Sequence, residues 1–297
     1  MSVSSHCIAR GLIAAAATLD GVSDATSADR SLPDQTGLEQ ALRSTRWRRI
    51  EVVAETGSTN ADLAARADAG EDLDGQVRIA GFQSAGRGRH ARLWQTPHGQ
   101  IAVSAGVAVR PDQLPAIGWL SLLTGLAAAE AVLQVTGVRP DLKWPNDVLA
   151  PSTAAGAGKK LAGILSEFHP AGDSGGGAAI IGTGLNLDLT GAEPPIETAA
   201  SLRELAGAPV DATELTAAYL RALSERLVRW PHDLPGLAAD YRAASATLGR
   251  QVRLILPGDR EVVGEAVDID DEGRIVVDAP GQTVAAAAGD VTHLRAV

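Results

Sequence analysis

The spacing of apolar residues along the chain changes period several times, and each change marks an element. Arg49–Glu55 (R-I-E-V-V-A-E) reads as a strand. Thr56–Asn60 then forms a turn into a helix, with Thr59 and Asp62 at capping-box spacing. Val77–Gln83 reads as a second strand, and Ile101–Val109 alternates as a third. Trp119–Val135 is long, rich in Ala and Leu, and helical. Asp141–Trp144 and Val148–Leu149 are short strand pieces around Pro145. Leu161–Phe168 and Ala178–Leu187 pair as a hairpin across D-S-G-G-G. Asp211–Val228 and Leu237–Ala246 have helical spacing, with a shorter helix at Leu38–Arg43. After Leu248 the character shifts to short strands, at Val252–Leu256, Glu261–Ile269, Arg274–Val277 and Thr283–Ala287. P-G-D, D-D-E-G and A-P-G turns separate them, the pattern of a small β-barrel. Residues 1–36 are rich in Ala, Ser, Asp and Thr with weak periodicity and read as a disordered tail. The expected organisation is that tail, a main domain over 37–246 and a barrel over 247–297.

Composition narrows the class. Hydrophobic residues are 45% of the 297 but aromatics only 3%, so the core must be aliphatic. A net charge of −10 argues against general binding to nucleic acid or anionic membranes. Cys7 is the single cysteine, which excludes an internal disulfide and a cysteine zinc site and fits a reducing cytoplasm. The apolar run Ile8–Leu19 is short, broken by Arg10 and Gly11, and lacks the basic start of an export signal. No apolar run is read as long enough to span a bilayer.

Two local features carry chemistry. Of 26 basic residues only Lys143, Lys159 and Lys160 are lysines, clustered where a compact ammonium suits a carboxylate or phosphate. Gly81–Trp94 (G-F-Q-S-A-G-R-G-R-H-A-R-L-W) places three arginines and His90 within six residues on an acidic protein. Gly86 and Gly88 would permit positive φ and let successive N–H groups form an anion-binding concavity. A dinucleotide fingerprint is excluded, because Arg92 stands where its third glycine would be and no helix follows.

G-S-T-N (57–60), G-R-G-R-H-A-R-L-W (86–94), K-W-P-N-D-V-L (143–149), K-L-A-G-I-L-S-E (160–167) and G-T-G-L-N-L (182–187) stand in the order and spacing of biotin–protein ligases. The chain resembles that family, in its monofunctional form without an N-terminal DNA-binding domain, over roughly 48–295. The resemblance implies an α+β fold: a mixed sheet flanked by helices, of the class II synthetase-like biotin/lipoate ligase type, with a C-terminal SH3-like barrel. It implies ATP-dependent formation of biotinyl-5′-AMP, then transfer to a lysine of a biotin carboxyl carrier domain, with Mg2+ accompanying ATP. A lipoate–protein ligase of the same superfamily is the nearest alternative. Residues 1–47 are too short and wrongly patterned for a winged helix, so no DNA binding is expected, nor membrane binding. The expected state is a cytoplasmic monomer or weak ligand-linked dimer.

The family match assigns roles. Arg89 holds the adenylate, Lys160 contacts biotin's carboxylate and the phosphate, and Asp147 either aids the acceptor lysine's deprotonation or holds Mg2+. Biotin falls to Ser58, Thr59, Asn60, Gln83, Gly86, Arg87, Gly88, Arg89, Lys160 and Gly163. The nucleotide falls to Arg89, Arg92, Trp94, Lys143, Asn146 and Asn186. Ser58 and Thr59 have a second reading as helix caps, and Trp94 as a core residue. Lys159 doubles the lysine, though Lys160 keeps the register. The charged 81–94 loop is expected to order over the adenylate and shield it from water. Its amide exchange should slow on adding biotin plus ATP; equal rates with and without them would contradict this.

Overall fold

A computed structural model describes residues 32–95, 99–154, 158–172, 175–190 and 197–294. The tail over 1–31, with Cys7 and the 8–19 run, lies outside the described residues, as do parts of the 151–158 and 171–176 connections. The first helix is α1 (Gln35–Ala41), earlier than the expected Leu38–Arg43, because Asp34 caps it by accepting from the Thr36 and Gly37 amides. Residues 32–36, read as tail from the sequence, therefore belong to the fold. There follow β1 (Arg49–Thr56), α2 (Thr59–Asp68), β2 (Gln76–Gln83), β3 (Gln100–Val109), α3 (Trp119–Thr136), β4 (Asp141–Lys143) and β5 (Asp147–Leu149). The chain continues through β6 (Lys160–Pro170), β7 (Gly177–Asn186), α4 (Leu202–Ala206), α5 (Ala212–Arg229) and α6 (Leu234–Ala244). The last strands are β8 (Gln251–Leu256), β9 (Arg260–Ile269), β10 (Ile275–Ala279), β11 (Gln282–Ala286) and β12 (Asp290–His293).

Seven strands form one sheet in the order β1-β2-β3-β7-β6-β5-β4, with β1 parallel to β2 and the other pairs antiparallel. Alternation sorts β7 onto two faces. Ala179 and Ile181 join the main core with α3 and α5, whereas Ile180 packs with Leu63 and Ala64 of α2. Helix α3 is 18 residues long and apolar enough by length and composition to cross a membrane, contrary to the reading that no run is. Its apolarity has a local cause: most of it is buried in the core, with Leu120, Leu123, Ala127 and Val132 fully enclosed.

The second sheet is antiparallel in the order β11-β10-β9-β8-β12. Its fifth strand, β12, was missed in the sequence because it has four residues and little alternation. The barrel grips the turn after β4. The Trp144 amide donates to Thr247 Oγ1, 3.2 Å, and its indole Nε1 donates to the Gly273 carbonyl, 3.1 Å. His293 Nε2 lies 3.1 Å from Thr247 Oγ1.

Burial, then the charges of Lys143 and Arg250, push His293 down to about 4. The unfolded imidazole titrates at about 6.5, so on acidification the unfolded chain binds the proton first. The stability tied to neutral His293 is thus complete above that value and lost as pH falls toward about 4. Thermal melts across this window should decline more gently for His293→Gln than for the wild type; parallel curves would contradict the assignment.

Candidate active site

Strand register builds the site floor. Cα pairing runs Lys143–Asp147–Gly163–Gly184–Ala102 across β4, β5, β6, β7 and β3. Three successive small residues leave a trough on the α2 side of the sheet. Trp94 lies in it: a Cβ on Gly184 would come within 2.5 Å of the indole and one on Gly163 within 2.7 Å. Trp94 is thus not a core residue: it is half-buried, packing on the sheet and lining the cavity. Its Nε1 donates to Gln100 Oε1 at 3.1 Å.

The cavity above this floor has a volume of about 550 Å3. Its walls include every sequence-nominated residue except Gly86. Gly86 instead lies under the Trp94 carbonyl, with which a Cβ would collide. The glycine loop also departs from expectation in its backbone. Neither Gly86 nor Gly88 has positive φ; His90 does, at 54°. The N–H groups of Gly88, Arg92 and Trp94 are used inside the loop, donating to the carbonyls of Arg92, Arg89 and Gly86. These amides are thus spent inside the loop, and its positive charge lies in the side chains.

Each of those cations meets an acidic side chain. Arg89 Nη1 lies 3.1 Å from Asp290 Oδ1, while Nη2 donates to the Gly289 carbonyl at 2.9 Å. Arg92 reaches Asp290 Oδ2 at 2.7 Å, and His90 Nε2 is 3.6 Å from Oδ1. Burial pushes the Arg89 guanidinium below its ordinary value, opposed by Asp290 and Asp147. Arg87 pairs with Glu167 Oε1 at 2.8 Å. Lys160 Nζ lies 2.5 Å from Asp147 Oδ1, and Lys143 Nζ 3.8 Å from Oδ2. Lys160 also stands 5.3 Å from the Trp94 ring centroid, in cation–π range. Lys159 is exposed and not among the cavity residues.

The polar end is a buried network. Ser58, not Thr59, caps α2, accepting from the Ala61 amide, and Asp62 binds Thr56 and Arg78 instead of closing a capping box. Freed from capping, Thr59 gives its amide to Gln83 Oε1 at 2.9 Å. Asn60 joins Ser104 and Glu167 through its amide. At the other end, Asn186 Nδ2 ties the Lys160 and Ala200 carbonyls together, 3.0 Å each, leaving its Oδ1 buried without a partner. Sequence reading missed Asp290, Glu167 and Ser104. Glu167 ends the quoted K-L-A-G-I-L-S-E run and Ser104 lies in an alternating strand, but neither has a local signal of chemistry.

The chain is similar to known proteins. Residues 55–186 match the biotin/lipoate A/B protein ligase family, and 247–294 match the biotin protein ligase C terminal domain. The biotin–[acetyl-CoA-carboxylase] ligase of Mycobacterium tuberculosis is 46% identical over 91% of this chain and all of that protein. The bifunctional ligase/repressor BirA of Escherichia coli is 32% identical over 78% of this chain and 70% of that protein. The fold matches a biotin protein ligase from Aquifex aeolicus in complex with biotin and ATP, TM-score 0.69 at 24% identity, over 84% of this chain and 100% of the other.

Gly184→Ala should press the indole of residue 94 off the floor, at a typical overpacking cost of ~1–3 kcal/mol. Tryptophan emission should shift in the wild-type background and stay unchanged in Trp94→Phe. A shift of equal size in both would show that the close approach is not to Trp94.

Proposed function

The chain belongs to the biotin/lipoate protein ligase family, and from this premise we propose that it activates biotin with ATP and transfers the biotinyl group to a carrier-domain lysine. A carboxylate oxygen of biotin attacks the α-phosphorus of ATP, and the bond to pyrophosphate breaks. A lysine amine then attacks the acyl carbon of biotinyl-5′-AMP and loses a proton, and AMP leaves. The observation that carries the reading is Lys160 and Arg89 lining one cavity across a floor of small residues.

Two anions meet in the first step and charge grows on the leaving pyrophosphate, so fixed cations stabilise the transition state. Lys160 approaches biotin's carboxylate and the α-phosphate from β6. Arg89 and Arg92 approach from the loop. The acceptors and donors of Thr59 and Gln83 receive the polar ureido head, and the Asn186 carbonyl oxygen, buried and free, accepts from the adenine amino group or a ribose hydroxyl. Trp94 forms the wall between the two halves. Asp147, already within 2.5 Å of one ammonium, is the group to receive the acceptor lysine.

Among the described residues no three acidic, histidine or cysteine side chains converge on a metal position. The described residues supply no resident metal cage; Mg2+ belongs to the nucleotide substrate, held by its phosphates. The partner is the biotin carboxyl carrier domain of a carboxylase, since the Mycobacterium tuberculosis relative carries the name of an acetyl-CoA-carboxylase ligase. We assign 32–246 to biotin and ATP and 247–294 to the SH3-like domain, in a cytoplasmic monomer or weak ligand-linked dimer that binds neither nucleic acid nor membrane.

Pyrophosphate exchange into ATP should depend on biotin and not on lipoate. Exchange with lipoate alone would turn the assignment to the sister activity. Lys160→Ala should slow adenylate formation by about 100-fold or more. Arg89→Ala should instead release biotinyl-AMP faster; equal release rates would remove Arg89 from the adenylate.

A further inference from the structure

We infer that Glu167 is a positioning residue that sets the direction of the hydrogen bonds reaching the biotin head. The inference rests on the ureido placement proposed above.

Glu167 lies on β6 two residues beyond Leu165 and four beyond Gly163, on the same face of the strand. Its side chain is only 20% exposed. Oε1 accepts from Arg87 Nη2 at 2.8 Å and Oε2 from Asn60 Nδ2 at 2.8 Å. A carboxylate only accepts, so Asn60 must turn its NH2 toward Glu167, with the Leu165 carbonyl as a second acceptor at 3.4 Å. Its Oδ1 is thereby aimed at Ser104 Oγ, 2.6 Å away. That oxygen also only accepts, so the single Ser104 proton is committed to it. The 2.7 Å contact between Ser104 and Thr59 hydroxyls then needs the Thr59 proton. Gln83 Oε1 stands 3.1 Å from the same hydroxyl, a longer contact for that proton.

The chain of donation runs Thr59 to Ser104 to Asn60 to Glu167. Thr59 Oγ1, on the cavity wall, keeps its lone pairs for a ligand N–H, and the ureido ring has two such donors. Gln83 is held separately by the Thr59 backbone amide, so its orientation does not depend on Glu167. An amide at 167 lets Asn60 turn over. The two hydroxyl protons then reverse, Ser104 donates to Thr59, and Thr59 offers the ligand less acceptor capacity.

The test uses full-length enzyme and steady-state biotinylation of a carrier domain. Glu167→Gln should raise KM for biotin about tenfold, with kcat and KM for ATP changed less than about twofold. Glu167→Gln/Asn60→Asp restores an acceptor facing both the new amide and Ser104, and should return KM for biotin toward the wild type. Ser104→Ala breaks the same chain at its middle link and should reproduce the biotin-specific rise, which keeps the test in hand if Glu167→Gln does not fold. Three results would overturn the inference: an unchanged KM for biotin, a loss spread over kcat and both KM values, or a folded double variant no better than the single one. Absence of biotin-dependent activity in the wild type would instead overturn the proposed function.

Discussion

Charge balance inside one cavity is the constraint on which the rest of this structure depends. Arg87, Arg89, Arg92, Lys143 and Lys160 all line it. Arg87 and Arg92 stay in contact with water at the rim and are drawn to acids by their crowding, while Arg89, Lys143 and Lys160 are largely covered and lose solvation, so they need a counter-charge. Three acidic residues supply it: Glu167 for Arg87, Asp290 for Arg89 and Arg92, and Asp147 for the two lysines. Two belong to the large sheet and one to the barrel. The barrel is thus tied to the site by a half-buried ion pair, as well as by its grip on Trp144. On the proposed function, an incoming carboxylate and phosphate compete with or join these acids for the same cations.

The large sheet turns this balance into geometry. Only a floor of Gly163, Gly184 and Ala102 leaves room for an indole and a ligand above the strands. Gly182, one step further along, makes room for the Asn60 amide, whose Oδ1 a Cβ would strike. Glycine here is a matter of space, not of backbone conformation. The sequence reading expected positive φ in the glycine loop, and the observed need at Gly86 is close approach to the Trp94 carbonyl.

Much of the fold was legible because its elements are long or strongly periodic. Helices α3 and α5 and the β6–β7 hairpin lie within a few residues of expectation. Two short pieces were not legible, α4 of five residues and β12 of four, too few to set a period; β4 and β5, three residues each, were read only because they flank Pro145. The site divided along the same line. Residues inside contiguous motifs, such as Arg89, Asn146 and Lys160, were nominated and do share a cavity. Asp290 was not, since it meets Arg89 across 201 positions of sequence and sits in a strand too short to announce itself. The Thr59–Asp62 spacing forms no capping box, and of the two candidate caps Ser58 serves; packing decides, as Thr59 is needed by Gln83 and Ser104.

The most direct measurement is a crystal structure of the protein with biotinyl-5′-AMP. The account requires the Lys160 ammonium and the Arg89 guanidinium to donate to the same acyl-phosphate, with the ureido ring against Thr59 and the adenine toward Asn186. An adenylate bound elsewhere, or one touched by neither residue, would contradict it.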